Sequence, residues 1–201
     1  MSKGFLDKAY VKQDARELYD AWATSYDAEV GENGYATPGR CAAALHAIMP
    51  DPSLPLLDFG CGTGLSGLAL KLAGFTTIDG LDLSQDMLKQ AAAKDLYRTL
   101  SQIEAGDALT HTPGDYAAIA AIGVIGAGAA PISVFDTLMA GLATGGYLVF
   151  SFNDHALQDP DNEAKLHDYT DSKQARLLFQ EHGPHLPGIN LKSNVYVLEK
   201  L

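Results

Sequence analysis

Leu56-Leu57-Asp58-Phe59-Gly60-Cys61-Gly62-Thr63-Gly64 is the stretch that decides the fold. A short apolar run starting at Leu54 ends in an acid, gives way to glycines alternating with small residues, and continues into helical spacing from Leu65 to Leu72. That order describes a strand, a tight turn and a helix. Thr76 to Leu83 then reads as a second strand, which completes one βαβ unit. Ser84 is placed to cap a helix carrying Met87, Leu88 and Ala91, and Leu100–Ala105 and Tyr116–Ile122 supply two more strands. A Pro131-led helix with Val134, Phe135, Leu138 and Leu142 follows, Gly145-Gly146 turns the chain, and Tyr147–Phe152 is rich in strand-forming residues. Alternation of this kind predicts a parallel sheet covered by helices on both faces.

The flanks extend the pattern. Asn153 to Lys173 is polar and acidic, with Asp159-Pro160-Asp161-Asn162-Glu163 a solvated loop or helix start. Arg176–Gln180 and Ser193–Glu199 read as strands joined by a loop from His182 to Asn190, and so should pair antiparallel. Upstream, Asp14 to Ala23 spaces Ala15, Leu18, Tyr19 and Trp22 as an amphipathic helix, and Thr37 with Pro38 opens a second helix ending at Met49. The expected class is α/β, doubly wound and Rossmann-like: a mostly parallel seven-stranded sheet with an antiparallel C-terminal strand and helices on both faces. A single domain spans residues 1–201, with 1–50 as an N-terminal helical cap and 54–201 as the ligand-binding core.

Composition narrows the partners. Twenty-five acidic against fourteen basic residues give a net charge of -11, which opposes binding to polyanions and predicts no nucleic acid and no membrane as partner. Only Cys41 and Cys61 are present, and Met1 to Lys8 has no apolar run of signal-peptide length, so a reducing, cytoplasmic setting is expected. Tyr116 to Phe135 carries no charge over the length of a spanning helix, yet Gly123, Gly126, Gly128 and Pro131 favour a buried strand and loop. His182 and His185 are three apart among Gly183, Pro184 and Pro187, with no third ligand nearby, and no metal is expected. Composition leaves the oligomeric state open.

The chemistry sits at the first turn, where a doubly wound sheet binds ligands at the carboxyl ends of its strands. Gly62-Thr63-Gly64-Leu65-Ser66-Gly67 fits G-x-G-x-x-G, which alone suits a nicotinamide dinucleotide. Asp58, two residues before the glycines, puts negative charge where a pyrophosphate would lie and suits a cationic methionyl ammonium instead. Asp82 ends the next strand, where a carboxylate accepts ribose hydroxyls of either cofactor, and Gly106-Asp107-Ala108 ends the third, suited to an adenine edge. The length leaves no second domain for a hydride substrate. S-adenosylmethionine (SAM) is therefore the favoured cofactor.

Asp58 to Gly64, Gly80-Leu81-Asp82-Leu83-Ser84 with Met87-Leu88, Gly106-Asp107-Ala108 and Gly145-Gly146 together resemble the class I SAM-dependent methyltransferases over Leu54 to Phe152. Tyr19-Asp20, Trp22-Ala23, Tyr26-Asp27, Gly34-Tyr35, Gly62 to Gly67 and Gly123-Val124-Ile125-Gly126 resemble, more narrowly, the Williams–Beuren-region-type group and its bacterial relatives. Gly128-Ala129-Ala130-Pro131 departs from that group in lacking a histidine before the proline. The resemblance implies that Gly60 and Gly62 lie along the methionyl part beside Leu65, with Asp58 near its ammonium through water and Asp82 on the ribose. It implies Leu83 and Met87 on the adenine face, Gly106, Asp107 and Ala108 at its edge, and Gly123 offering a carbonyl to the ammonium and opening towards the acceptor. Arg40 is the upstream cation for the methionyl carboxylate, and Tyr26 belongs to the cap over the methionyl end. Asp154 and His155, just past the fifth strand, join Tyr26 as candidate bases, with Tyr26 and His155 the catalytic pair expected. The expected activity is methyl transfer to a small-molecule acceptor. A non-catalytic SAM-binding module and a small NAD(P)-dependent oxidoreductase remain as alternatives.

Overall fold

The computed structural model describes residues 15–126 and 128–201, so the leader reading of Met1 to Lys8 and the Asp14 start of the first helix lie outside the described residues. Three helices come first: α1 (Ala15–Trp22), α2 (Tyr26–Glu32) and α3 (Thr37–Ile48). The alternating part is β1 (Leu56–Phe59), α4 (Leu65–Ala73), β2 (Ile78–Asp82), α5 (Gln85–Ala92), β3 (Thr99–Gln102), β4 (Ala118–Ala121), α6 (Val134–Gly141) and β5 (Tyr147–Asn153). It ends in α7 (Pro160–Asp171), β6 (Ala175–Leu186) and β7 (Leu191–Lys200). The sheet order is β3-β2-β1-β4-β5-β7-β6. Every pair is parallel except those of β7, which runs antiparallel to both neighbours.

Burial explains the central strands. β1 and β4 are covered on both faces, so Leu56, Leu57, Ala118, Ile119 and Ala120 form the unbroken apolar runs that a doubly covered parallel strand requires. One face packs Leu57, Ile119, Phe150 and Tyr196 against Phe135 and Leu138 of α6. The other packs Leu56, Ile78 and Val149 against Leu45 of α3 and Leu70 of α4. A third cluster joins Trp22 and Val30 of the first two helices to Met87 of α5 and to Leu186 and Leu191 at the end of the β6–β7 hairpin. The order in which strands are added switches from one side of β1 to the other at β4, which places a crevice at the carboxyl ends of these two parallel strands.

The structure refines or departs from the sequence reading in several places. His182 to Leu186 continue β6 instead of forming a loop, because their partners on β7 extend to Leu191. Pro160 to Asp171 is a full helix, opened by Asp159, whose side chain accepts from the Asp161 N–H. The Thr37 hydroxyl does not cap α3; it bonds His185 and Ser193 instead. α6 starts at Val134, three residues after Pro131. The uncharged run from Tyr116 to Phe135 spreads over β4, a turn and the start of α6, and no helix among the described residues is long and apolar enough to cross a membrane.

Candidate functional site

Glycines shape the turn after β1. Gly60 and Gly62 have φ of +70° and +54°, a region that residues with a Cβ enter only with strain. A Cβ on Gly60 would come within 2.6 Å of Val124, whereas one on Gly62 would meet open space. Asp82, at the end of β2, accepts from the Gly62 N–H at 2.8 Å through one oxygen and from the Ser84 N–H at 2.8 Å through the other. Burial pushes its carboxyl above the usual range, and the backbone N–H groups pull it back.

Beneath the same turn lies Asp58, fully buried, with Oδ2 accepting from Ser66 at 2.6 Å and from Tyr97 at 2.8 Å. Its Oδ1 is buried without a hydrogen-bond partner. Burial raises the Asp58 carboxyl to about 6, against the two hydroxyl donors that lower it and with the nearby Asp82 charge raising it further. Gly67, last of the G-x-G-x-x-G run, is needed for a packing reason: a Cβ there would stand 2.3 Å from the Tyr97 hydroxyl oxygen. Burial also drives the Cys61 thiol well above its ordinary range, so it stays protonated and is no nucleophile.

The first two helices and the turn after them form a strap across the carboxyl edge of the sheet, pinned once at each strand it passes. Arg16 pairs with Glu104 after β3, and Asp20 accepts from Ser84 after β2. Asp27 accepts from Thr63 after β1 at 2.5 Å, and Lys94 adds an ion pair to Asp27 at 2.7 Å and a bond to the Thr63 carbonyl. Tyr35 then reaches the end of β4, where its hydroxyl oxygen lies 2.5 Å from the place a Gly123 Cβ would take. Between strap and sheet is a cavity of about 390 Å³, within the range of small-molecule sites.

Ten of the expected residues line this cavity. Gly60, Gly62, Leu65, Asp82, Leu83 and Met87 come from the β1 and β2 ends, with Gly106 and Asp107 from the β3 loop, Gly123 from β4 and Tyr26 from the strap. Four do not. Arg40 turns to Glu181, the Pro184 carbonyl and Ser193, because β6 extends far enough to meet it. Asp58 lies behind the glycine turn, Ala108 is exposed beyond the wall, and His155 is exposed past β5. Asp154, the other base considered, is tied to the Lys192 N–H. Thr63, Ser84, Glu104 and Tyr35 line the cavity without having been assigned a role, and Lys94 supports them from outside. Their pairings span 31 to 88 residues of chain, which no local pattern reveals.

The residues present fit SAM. The cavity offers an acidic group at the β2 end, bare main chain at Gly62 and apolar contacts from Leu83 and Met87. Comparisons with known proteins agree. A family model described as "Methyltransferase domain" matches residues 34–193. Human methyltransferase-like protein 27 is 35% identical over 124 residues, covering 60% of this chain and 51% of the relative. The yeast 18S rRNA (guanine(1575)-N(7))-methyltransferase is 30% identical over 137 residues, covering 61% of this chain and 50% of the relative. The chain thus spans about half the length of the curated relatives it matches. Among solved structures, Synechocystis magnesium protoporphyrin IX methyltransferase with bound SAM superposes with a TM-score of 0.68 at 18% identity, covering 94% and 98% of the two chains. A Haloferax volcanii methyltransferase in complex with the Trm112 activator gives 0.70 at 16% identity, covering 93% and 97%.

These comparisons correct the partner expectation of a small molecule with nucleic acid excluded. One relative is named for an rRNA substrate and one neighbour is bound to a protein activator. Net charge governs non-specific attraction to a phosphate backbone, and it does not decide which group is presented to a buried methyl donor.

Proposed function

The chain belongs to the methyltransferase domain family, and on that premise we propose that it transfers a methyl group from SAM to an acceptor presented at the β4 end of the cavity. The observation that carries this reading is the cavity itself, with Asp82 bonded to the glycine turn and Gly123 on the wall at the β4 end. Bound there, SAM supplies a sulfonium methyl that is electrophilic without further activation. Asp82 would hold the ribose, Leu83 and Met87 would take the adenine face, and Gly60 and Gly62 would let the methionyl part lie against main chain. The strap excludes water from above and fixes the angle of approach, and positioning of this kind can contribute about 7–11 kcal/mol. An acceptor that arrives protonated releases its proton to water as the new bond forms, with Tyr26 the candidate catalytic group on the wall. Within this reading residues 1–50 act as a cap and residues 54–201 as the core, and two buried free thiols suit a cytoplasmic setting.

A second reading gives the methyl to a group presented by a macromolecule, and the rRNA-methylating relative favours it. Labelled SAM incubated with separated metabolite, RNA and protein fractions of a cell extract tests both. Label in any fraction supports the first reading, and label confined to RNA or protein supports the second. If no fraction is labelled while titration calorimetry still detects the demethylated product S-adenosylhomocysteine, the protein is a cofactor-binding module. Asp82→Ala should weaken that binding about 10- to 100-fold, as expected for loss of a hydrogen-bonded charge; unchanged affinity would remove Asp82 from the site.

A further inference from the structure

The cavity wall is divided by charge. Its charged residues, Arg16, Asp82, Glu104 and Asp107, all come from α1 or from the ends of β2 and β3. The β4 end is walled mostly by Pro38, Ile122, Val124 and Ala130, with Ser133 and Thr137 at the start of α6, and there the strap brings the Tyr35 phenol against Gly123.

The Tyr35 ring is held from several sides. Gly34, with φ of +73°, makes the turn before it, and the Tyr35 N–H bonds the Val30 carbonyl at 3.1 Å. The next N–H, of Ala36, bonds the His185 carbonyl at 2.9 Å. The imidazole of buried His185 meets the phenol edge-on at a centroid distance of 5.2 Å. That imidazole is itself fixed, since its Nδ1 is 2.8 Å from the Thr37 hydroxyl, which is 2.8 Å from the Ser193 hydroxyl, and Arg40 donates to Ser193 at 3.0 Å. A phenol pinned this way, in a mostly apolar wall, makes a stronger hydrogen bond than one in water.

We propose that Tyr35 is a catalytic residue whose hydroxyl hydrogen-bonds the methyl-accepting atom and aims its lone pair at the sulfonium methyl. This rests on the methyl-transfer reading. The acceptor lone pair forms the new bond to carbon, the carbon–sulfur pair returns to sulfur, and the acceptor's proton, where there is one, passes to water. Tyr35 orients the acceptor throughout and is itself unchanged at the end.

Tyr35→Phe keeps the ring, the edge contact with His185 and the packing, so it isolates the hydroxyl. Tyr147→Phe, at the opposite end of the sheet, is the control. Two measurements follow, both on the full chain. With SAM carrying a ¹³C-labelled methyl, the bound methyl resonance should shift by more than a linewidth in Tyr35→Phe and stay in place in Tyr147→Phe. In the labelled-extract assay, transfer by Tyr35→Phe should fall about tenfold or more, as for loss of one preorganised donor, while its S-adenosylhomocysteine affinity stays within about twofold. An unmoved resonance, or transfer at the wild-type rate, overturns the assignment. If wild-type protein labels nothing, the transfer reading fails on its own, and the resonance still decides whether Tyr35 faces the methyl.

Discussion

Two buried residues near the cavity titrate in opposite senses. Burial holds Asp58 at about 6, above its unfolded value of 3.8, so the folded state binds a proton that the unfolded state has released. Its contribution is lost as pH rises from about 4 to 6 and amounts to about 3 kcal/mol of penalty at neutral pH. Burial holds His185 at about 4, below its ordinary 6.5, so its contribution is full above 6.5 and is lost as pH falls towards 4. The two slopes oppose each other over one window. Urea unfolding of the wild type should therefore show little net pH dependence from this pair between pH 4.5 and 6.5. Asp58→Asn should become more stable as pH rises across that range, and His185→Gln less stable. Parallel slopes for wild type and Asp58→Asn would show that Asp58 is ionised throughout. The sequence placed Asp58 in the right turn, but its burial depends on Ser66 from α4 and Tyr97 from beyond α5.

At the scale of elements, α4 lies close against the segment carrying Tyr97, and Gly67 is the point of contact. The Tyr97 hydroxyl accepts from the Gly67 N–H at 3.1 Å, filling one of the open donors of the first helical turn, and donates to Asp58. Gly67→Ala must displace that ring and should cost about 1–3 kcal/mol, the usual range for overpacking. Thermal unfolding of this variant with a melting point equal to wild type would refute the contact. The strap is pinned differently, by polar latches at the ends of β1, β2 and β3. Lys94 and Asp27 are both partly exposed, so their pair is weakened by solvent and salt. Lys94→Met should loosen S-adenosylhomocysteine about 3- to 10-fold at low ionic strength, and the gap to wild type should narrow as salt is added. Calorimetry at two salt concentrations measures it, and a salt-independent gap would point to lost packing in place of a lost ion pair. The helix of α1 was legible from its spacing; the register of its latches was not, because each joins residues far apart in sequence.

Across the whole molecule, the sheet order and the strap produce one covered crevice along β3, β2, β1 and β4. A ligand bound only by the folded chain raises its stability by RT ln(1 + [L]/Kd), about 2.7 kcal/mol at a hundredfold excess over Kd. Thermal-shift measurements should show SAM and its demethylated product raising the melting temperature, with oxidised and reduced nicotinamide dinucleotides leaving it unmoved. Stabilisation by the dinucleotides alone would reverse the cofactor assignment, since the glycine pattern by itself admits both. The net charge of -11 acts at this scale too, as a long-range repulsion between like-charged molecules.

The βαβ alternation, the buried central strands and the ligand-facing glycine turn follow from the sequence by itself, because residue spacing and glycine conformation are local properties. SAM was read from acids placed at two strand ends, of which Asp82 suits either cofactor and Asp58 does not line the cavity. Tertiary structure alone decided which of those acids faces the cavity. Asp58 and Asp82 look alike along the chain, yet one is enclosed behind the turn and the other stands on the wall. It also turned Arg40 to the hairpin and brought Tyr35 to Gly123, since a side chain's partner is set by which distant elements pack beside it.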